Sequence, residues 1–252
     1  MDQQQLTTRQ FGDSAANYLG SAVHARGRDL QRLRELAGLL RPARALDLGC
    51  GAGHVSYTLA AGGAGQVTAY DPAAGMLAVV AAEAQRRGLA NLATRCGAAE
   101  ELPFASGSFE LVVTRYSAHH WRSVPQALAE CSRVLTTGGR CIVIDMVAPE
   151  PALLDTSLQA LELLRDASHV RDYRVSEWRA MLQAAGLREL AFESWRLPLE
   201  FASWIARIST PPARVAALQA VFAGLPAEVR DYFRVSASND FEADSAWFDT
   251  AR

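Results

Sequence analysis

The chain has 252 residues, half of them hydrophobic, with 27 acidic and 25 basic side chains and a formal net charge of -2. That balance leaves no cationic footprint for a nucleic-acid backbone, and the length can bury the core of one domain with an added cover. No stretch approaches the ~20 apolar residues of a membrane span, and the opening MDQQQLTTRQ lacks the basic start and apolar segment of an export signal, so a cytoplasmic location is expected.

At the start, Phe11, Ala15, Tyr18 and Leu19 share a helical face, and Leu30, Leu33, Leu36 and Leu40 form a second apolar stripe. Two helices are predicted within residues 1–42, packed over the ligand site and the sheet. The arginines at 26, 28, 32, 34, 41 and 44 are interrupted by Asp29 and Glu35 at helical spacing, which reads as a solvated face. Residues 44–48 then fit a buried parallel strand, and residues 54–60 can start a helix. Between them ALDLGCGAGH places Gly49, Gly51 and Gly53 at alternate positions. Glycine there suits a chain that turns tightly off a strand and lets a ligand touch its backbone. A dinucleotide loop of the GxGxxG kind would need a third glycine at position 54, where the chain has His54. Asp47 would sit poorly beside a pyrophosphate and well beside an ammonium group.

QVTAY, residues 66–70, reads as a second strand ending on Asp71, 20 residues beyond Gly51. A carboxylate at that point can accept both ribose hydroxyl hydrogen bonds. Residues 149–151 make a stop, with Pro151 suited to a helix's first turn. Leu153, Leu154, Leu158, Leu161 and Leu164 mark an amphipathic helix, and Ser176 is placed to cap another that carries Trp178, Met181, Leu182 and Ala185 and ends at Gly186. Residues 187–199 read as a sixth strand, Pro211-Pro212 breaks the chain before another helix, and residues 244–250 read as a last, antiparallel strand. The alternation of helix and strand implies an α/β, doubly wound, mostly parallel sheet.

A ligand with a ribose, an ammonium and no phosphate is S-adenosyl-L-methionine, and DLGCGAG resembles the first motif of class I methyltransferases that use it. CGAAEELPFASGSFELVVTRYSAHHW, residues 96–121, resembles that family's adenine loop, fourth strand and substrate-facing tip. RVLTTGGRCIVIDMVAP, residues 133–149, resembles its helix end, glycine turn and fifth strand. The likeness is nearest to the UbiE-like branch, and within it to bacterial members that share RYSAHH and the downstream SHVR and SEW segments.

The resemblance implies a seven-stranded Rossmann-like methyltransferase sheet with a helical substrate cover. Its parts are N-terminal helices at 1–42, a cofactor-binding core at 43–148, a helical cover insertion at 149–186, and C-terminal strands and helices at 187–252. It further implies that Met76 packs the adenine face, that Arg115 offers its backbone carbonyl to the methionine ammonium, and that Tyr18 touches the methionine end. Many relatives place an aspartate before AExLPF to bond the adenine amino group, and here that position is Ala98. Adenine recognition therefore falls to Ala98, Ala99 and Glu100, through backbone groups or the Glu100 side chain.

A sulfonium methyl is already activated, so positioning should dominate, with a base only where the acceptor's proton is tightly held. His119 and His120 lie just beyond the fourth strand, where ligands bind in such sheets. His120 is the preferred base or substrate orienter, balanced against a histidine merely hydrogen-bonded at a helix start. A metal site is not expected, since adjacent histidines cannot both face one ion from a regular helix and no third ligand is spaced to help. Residues 165–174, RDASHVRDYR, read as a solvated connector in preference to a segment whose His169, Arg171 and Tyr173 reach an acidic or phenolic substrate, and Trp178, Trp195 and Trp204 read as core of a cover suited to a flat or greasy molecule.

All 25 basic residues are arginine, which excludes Schiff-base chemistry, pyridoxal phosphate anchoring and a P-loop lysine. Cys50, Cys96, Cys131 and Cys141 form no CxxC pair and read as reduced, packed thiols. The expected function is methyl transfer to a small molecule, as O- or C-methylation of a phenolic or quinone-like acceptor. An NAD-dependent oxidoreductase and a non-catalytic S-adenosylmethionine-binding protein remain as alternatives, and monomer and homodimer are both open.

Overall fold

Apolar runs bounded by glycine and amphipathic stretches fold here as seven strands and ten α-helices among the described residues, in the alternation their periodicities require. A computed structural model describes residues 2–19 and 27–252, and the side chains of residues 2–11 and 27–252. Helices α1 (Gln3–Leu19) and α2 (Arg28–Leu40) precede β1 (Arg44–Leu48), α3 (His54–Gly62), β2 (Gln66–Asp71), α4 (Ala74–Arg86) and β3 (Leu92–Cys96). Then follow β4 (Phe109–Arg115), a 3₁₀ turn (Ala118–His120), α5 (Val124–Val134), β5 (Leu135–Val147), α6 (Ala152–Arg165) and α7 (Val175–Ala184). The chain ends with β6 (Arg188–Leu199), α8 (Phe201–Ala206), α9 (Pro212–Gly224), α10 (Ala227–Tyr232) and β7 (Phe241–Ala251).

The sheet order is β3-β2-β1-β4-β5-β7-β6, parallel except for β7, which runs antiparallel to both β5 and β6. Successive strands leave β1 in opposite directions, toward β2 on one side and β4 on the other. A crevice therefore opens at the carboxyl ends of β1 and β4, the switch point at which doubly wound sheets bind ligands. Strands β1, β4 and β5 are buried on both faces, so they read as near-continuous apolar runs rather than alternating ones.

One face of the sheet is covered by α2 and α3, where Leu30, Leu33 and Ala37 pack with Val55, Leu59 and Ile142. Each such leucine contributes roughly 1.5–3 kcal/mol by leaving water. The other face is covered by α5 and α7, whose Leu128, Val134, Trp178 and Leu182 pack on Val112, Val143 and Phe248. A separate apolar cluster joins Leu154, Leu158 and Leu161 of α6 to Phe201, Trp204, Leu218, Phe222 and Val229 of α8, α9 and α10. This cluster thus joins α6 to helices between β6 and β7, while α7, at the end of the 149–186 stretch, packs on the sheet.

Three local expectations are corrected. Ser176 does not cap α7: Arg174 is its N-cap, and the Ser176 hydroxyl donates to Glu150 instead. Cys96 is exposed rather than packed, at the end of edge strand β3, whereas the other three thiols are buried. Residues 165–174 are not a solvated connector, since Asp166, Ser168, His169 and Asp172 are all buried. Some of their polar groups find partners inside the fold, the Ser168 hydroxyl on Asp166 and the His169 ring on Gln159, which a sequence reading based on polarity alone cannot see. Among the described residues, no helix is long and apolar enough to cross a membrane.

Candidate active site

The glycine loop adopts the backbone its sequence demands. Gly49, Gly51 and Gly53 all have positive φ (72°, 49° and 86°), a conformation costly for residues with a Cβ. At Gly49 a Cβ would also meet the Ser117 hydroxyl at 1.8 Å, so the loop lies directly against the tip of β4. At Gly51 a Cβ would meet nothing within 4 Å, so the open space belongs to the cleft. The Gly49 and Cys50 amides donate to the Tyr70 carbonyl, which ties the loop to the end of β2.

Asp71 stands at that end, almost fully buried. One carboxylate oxygen accepts from the Gly51 amide at 2.9 Å and the other from the Ala73 amide at 2.8 Å. Each oxygen keeps a second lone pair, so the group can still accept two ribose hydroxyls. Burial lifts its pKa to about 6 against the lowering effect of those two amides. Asp47 on β1 accepts from the Ser56 hydroxyl, and burial raises its pKa to about 7. Two carboxylates held reluctantly charged beside one cleft favour a ligand that brings positive charge.

The cleft encloses about 1050 Å³ of empty space, open solvent included, and its lining includes Asp47, Gly49, Gly51, Asp71, Met76, Ala98, Ala99, Glu100 and Arg115. Gly53 stands one position behind, as the N-cap of α3. Met76 is fully buried in the wall beside Ala52 and Ala73. Glu100 is engaged elsewhere: one oxygen accepts from the Arg122 and Ser123 amides just before α5. The Arg115 side chain turns away to a buried ion pair with Asp29 of α2. The Tyr18 side chain lies outside the described residues. A ribose acceptor, a carboxylate toward an ammonium, a glycine floor and an apolar wall together fit S-adenosyl-L-methionine.

A second cleft, with about 560 Å³ of empty space, adjoins the first. Phe11, Tyr116 and His120 line both. The second is walled by Met146, Leu197, Leu199 and Trp204, and floored by His119, Glu162, Arg165 and Asp172. The two histidines of the 3₁₀ turn diverge. His119 Nδ1 lies 2.6 Å from Asp145, whose other oxygen accepts the Ala118 amide. Burial opposes protonation of His119, but the Asp145 carboxylate outweighs it and the pKa stands at about 9. His120 Nδ1 faces the Ser168 carbonyl at 3.1 Å, and its ring meets Phe11 edge-on. Burial, with the neighbouring His119 charge, lowers its pKa to about 4. Near neutral pH the pair therefore holds one imidazolium and one neutral imidazole.

Several residues of this second cleft escaped the sequence reading. Asp145 carried a signal, a lone carboxylate inside the apolar run IVIDMV of β5, and it is 1% exposed. Asp172 and Glu162 carried none, because only the fold brings them to the histidines. The sequence supplied no third metal donor near His119, yet here His119, Asp145 and Asp172 each place a potential ligand atom within 4.8 Å of the others.

Residues 46–143 match the family model described as a methyltransferase domain. YafE of Escherichia coli K12, an uncharacterised protein, is 46% identical over 178 residues, which cover 71% of this chain and 86% of YafE. YcgJ of Bacillus subtilis, an uncharacterised methyltransferase, is 35% identical over 91% of this chain and 90% of its own. The YcgJ crystal structure superposes with a TM-score of 0.83, covering 88% of this chain and 97% of YcgJ. UbiE of Sinorhizobium fredii, a ubiquinone/menaquinone biosynthesis C-methyltransferase, is 36% identical over 115 residues, 44% of this chain and 45% of UbiE. With the Rossmann-like sheet and a cleft that fits the cofactor, these likenesses identify the chain as a member of the S-adenosylmethionine-dependent methyltransferase family.

Proposed function

We propose that the second cleft receives a small-molecule acceptor, phenolic or quinone-like, and that the chain methylates it on oxygen or ring carbon. The observation that carries this reading is the shared wall: Phe11, Tyr116 and His120 line both clefts, so an acceptor in one can face a methyl donor in the other. The aromatic and aliphatic lining of the second cleft suits a flat ring, and its ionisable floor suits a ring bearing oxygen. The partial similarity to UbiE supports a place on the UbiE-like side of the family. A nicotinamide-dependent oxidoreductase and a non-catalytic binding protein are not favoured by the family match.

When bound, S-adenosylmethionine supplies a methyl group already activated by a sulfonium. The chain's own residues then bind, align and manage one proton. Asp71 holds the ribose, Asp47 lies on the methionine side, and Met76 with residues 98–100 forms the adenine wall. His120 Nδ1 donates to the Ser168 carbonyl, which leaves Nε2 as an acceptor for the acceptor's hydroxyl proton. His119, charged and anchored by Asp145, favours an oxyanion in the same cleft. Helix α6 and the 165–174 segment, together with α8, α9 and α10, act as the substrate cover.

The test is ligand-dependent melting. S-adenosylhomocysteine at 100 times its dissociation constant should stabilise the fold by about 2.7 kcal/mol, while NAD should not. A shift with NAD alone would overturn the reading.

A further inference from the structure

Four carboxylates, Asp145, Glu162, Asp166 and Asp172, are buried around the floor of the second cleft, each at most 4% exposed. Arg165 spends its guanidinium on the Trp204 carbonyl and on Glu162, and His119 Nδ1 lies 2.6 Å from Asp145. Arg207 also lines the cleft, and Arg171 pairs with Asp155 and Glu177. Buried carboxylate oxygens are costly unless a donor or a cation meets them.

Two of these carboxylates also show where a cation belongs. Asp172 Oδ2 and Glu162 Oε1 are buried and have no hydrogen-bond partner among the described residues, and both residues line the cleft. Asp172 Oδ1 lies 4.0 Å from His119 Nδ1, which itself lies 2.6 Å from Asp145, while Asp172 Oδ2 lies 3.9 Å from His169 Nε2, beyond hydrogen-bond distance. One imidazole nitrogen and two carboxylates within 4.8 Å can close on a common centre at the ~2.1 Å bonds of a divalent ion with small side-chain movement.

We infer that His119, Asp145 and Asp172 form a binding site for a divalent first-row metal ion on the floor of the second cleft, with Glu162 beside it. A mixed imidazole and carboxylate set suits Mn²⁺, Fe²⁺ or Zn²⁺. The ion takes the place of the proton between His119 Nδ1 and Asp145. With three protein donors it keeps a side open to the cleft. On the reading that the acceptor binds there, that open side takes the acceptor's oxygen and eases loss of its proton to His120 Nε2 or water.

The experiment uses the full chain, dialysed against chelator and titrated separately with MnCl₂ and ZnCl₂ by calorimetry, with free Mn²⁺ counted by electron paramagnetic resonance. One ion per chain is expected from at least one of the two metals. Asp172→Asn should weaken that binding by about 10- to 100-fold while leaving S-adenosylhomocysteine affinity unchanged. Asp145→Asn should do the same, but Asp145 also accepts the Ala118 amide, so Asp172→Asn is the decisive variant if Asp145→Asn fails to fold. No binding of either metal, or binding that Asp172→Asn does not alter, overturns the site. Failure to bind S-adenosylhomocysteine would instead strike the methyltransferase reading, and the two failures are separately visible.

Discussion

Around the cofactor cleft the ligand-facing groups come from short, contiguous pieces of chain. Residues 47–53 supply a glycine floor and a carboxylate, Asp71 follows at the end of the next strand, and its oxygens are oriented by the Gly51 and Ala73 amides. The second cleft is assembled from α1, the tip of β4, the carboxyl end of β5, the end of α6, the 165–174 segment, the end of β6 and α8. Its groups are side chains, and two of its carboxylate oxygens have no hydrogen-bond partner among the described residues. A cofactor common to a family can be held by backbone geometry, whereas an acceptor particular to one chain has to be read by side chains that vary without disturbing the sheet.

The comparison is sharpened most strongly at the shared wall. With an acceptor in hand, His120→Ala should lower methyl transfer by ~10² or more while leaving S-adenosylhomocysteine affinity within a few fold. Turnover per folded molecule that survives, with a lower melting temperature, would make His120 a packing residue and leave positioning as the whole mechanism. His119→Ala provides the contrast, because its ring is directed to Asp145 rather than to Ser168 and Phe11.

Next in size is the ribose carboxylate. Asp71→Ala should weaken S-adenosylhomocysteine by roughly 1–3 kcal/mol, since two ribose hydroxyls lose a charged acceptor. The same group sets a pH dependence. Its pKa in the free protein is raised to about 6, and the ligand requires the ionised form. Affinity should therefore hold above pH 7 and fall by up to about tenfold per unit below pH 6, where a proton must first be lost. Asp71→Asn should flatten that slope in calorimetry, and an unflattened slope would assign it to another group, such as Asp47.

The smallest effect separates two roles for Glu100. Its carboxylate caps the Arg122 and Ser123 amides, so Glu100→Gln, which keeps one acceptor oxygen, should cost on the order of 1 kcal/mol of stability with little change in cofactor affinity. A large loss of affinity without loss of stability would return the side chain to adenine recognition.

The same division explains what could be read in advance. The succession of helices and strands, the glycine loop and Asp71 are written in local patterns of apolar runs, glycines and a carboxylate at fixed spacing, while the seven-stranded sheet comes only with the family resemblance. Residues 165–174 were not readable in this way. As a string they are polar and look solvated, and only the packing of α6 beneath α8, α9 and α10 buries His169 and Asp172 beside His119. Asp145 sits between these cases, since a charge within IVIDMV violates the apolar pattern and so flags a partner, but does not say which. Cys96 shows the converse: a thiol in a motif strand reads as packed, and the edge position of β3 exposes it.

The division of labour between the two clefts is tested most directly by a crystal structure of the full chain with S-adenosylhomocysteine. The ribose should lie on Asp71 and the sulfur should reach the wall formed by Phe11, Tyr116 and His120, with the second cleft left open behind it. A methionine tail that enters the second cleft and contacts Asp172 or Glu162 would contradict the account, because no separate place for an acceptor would then remain.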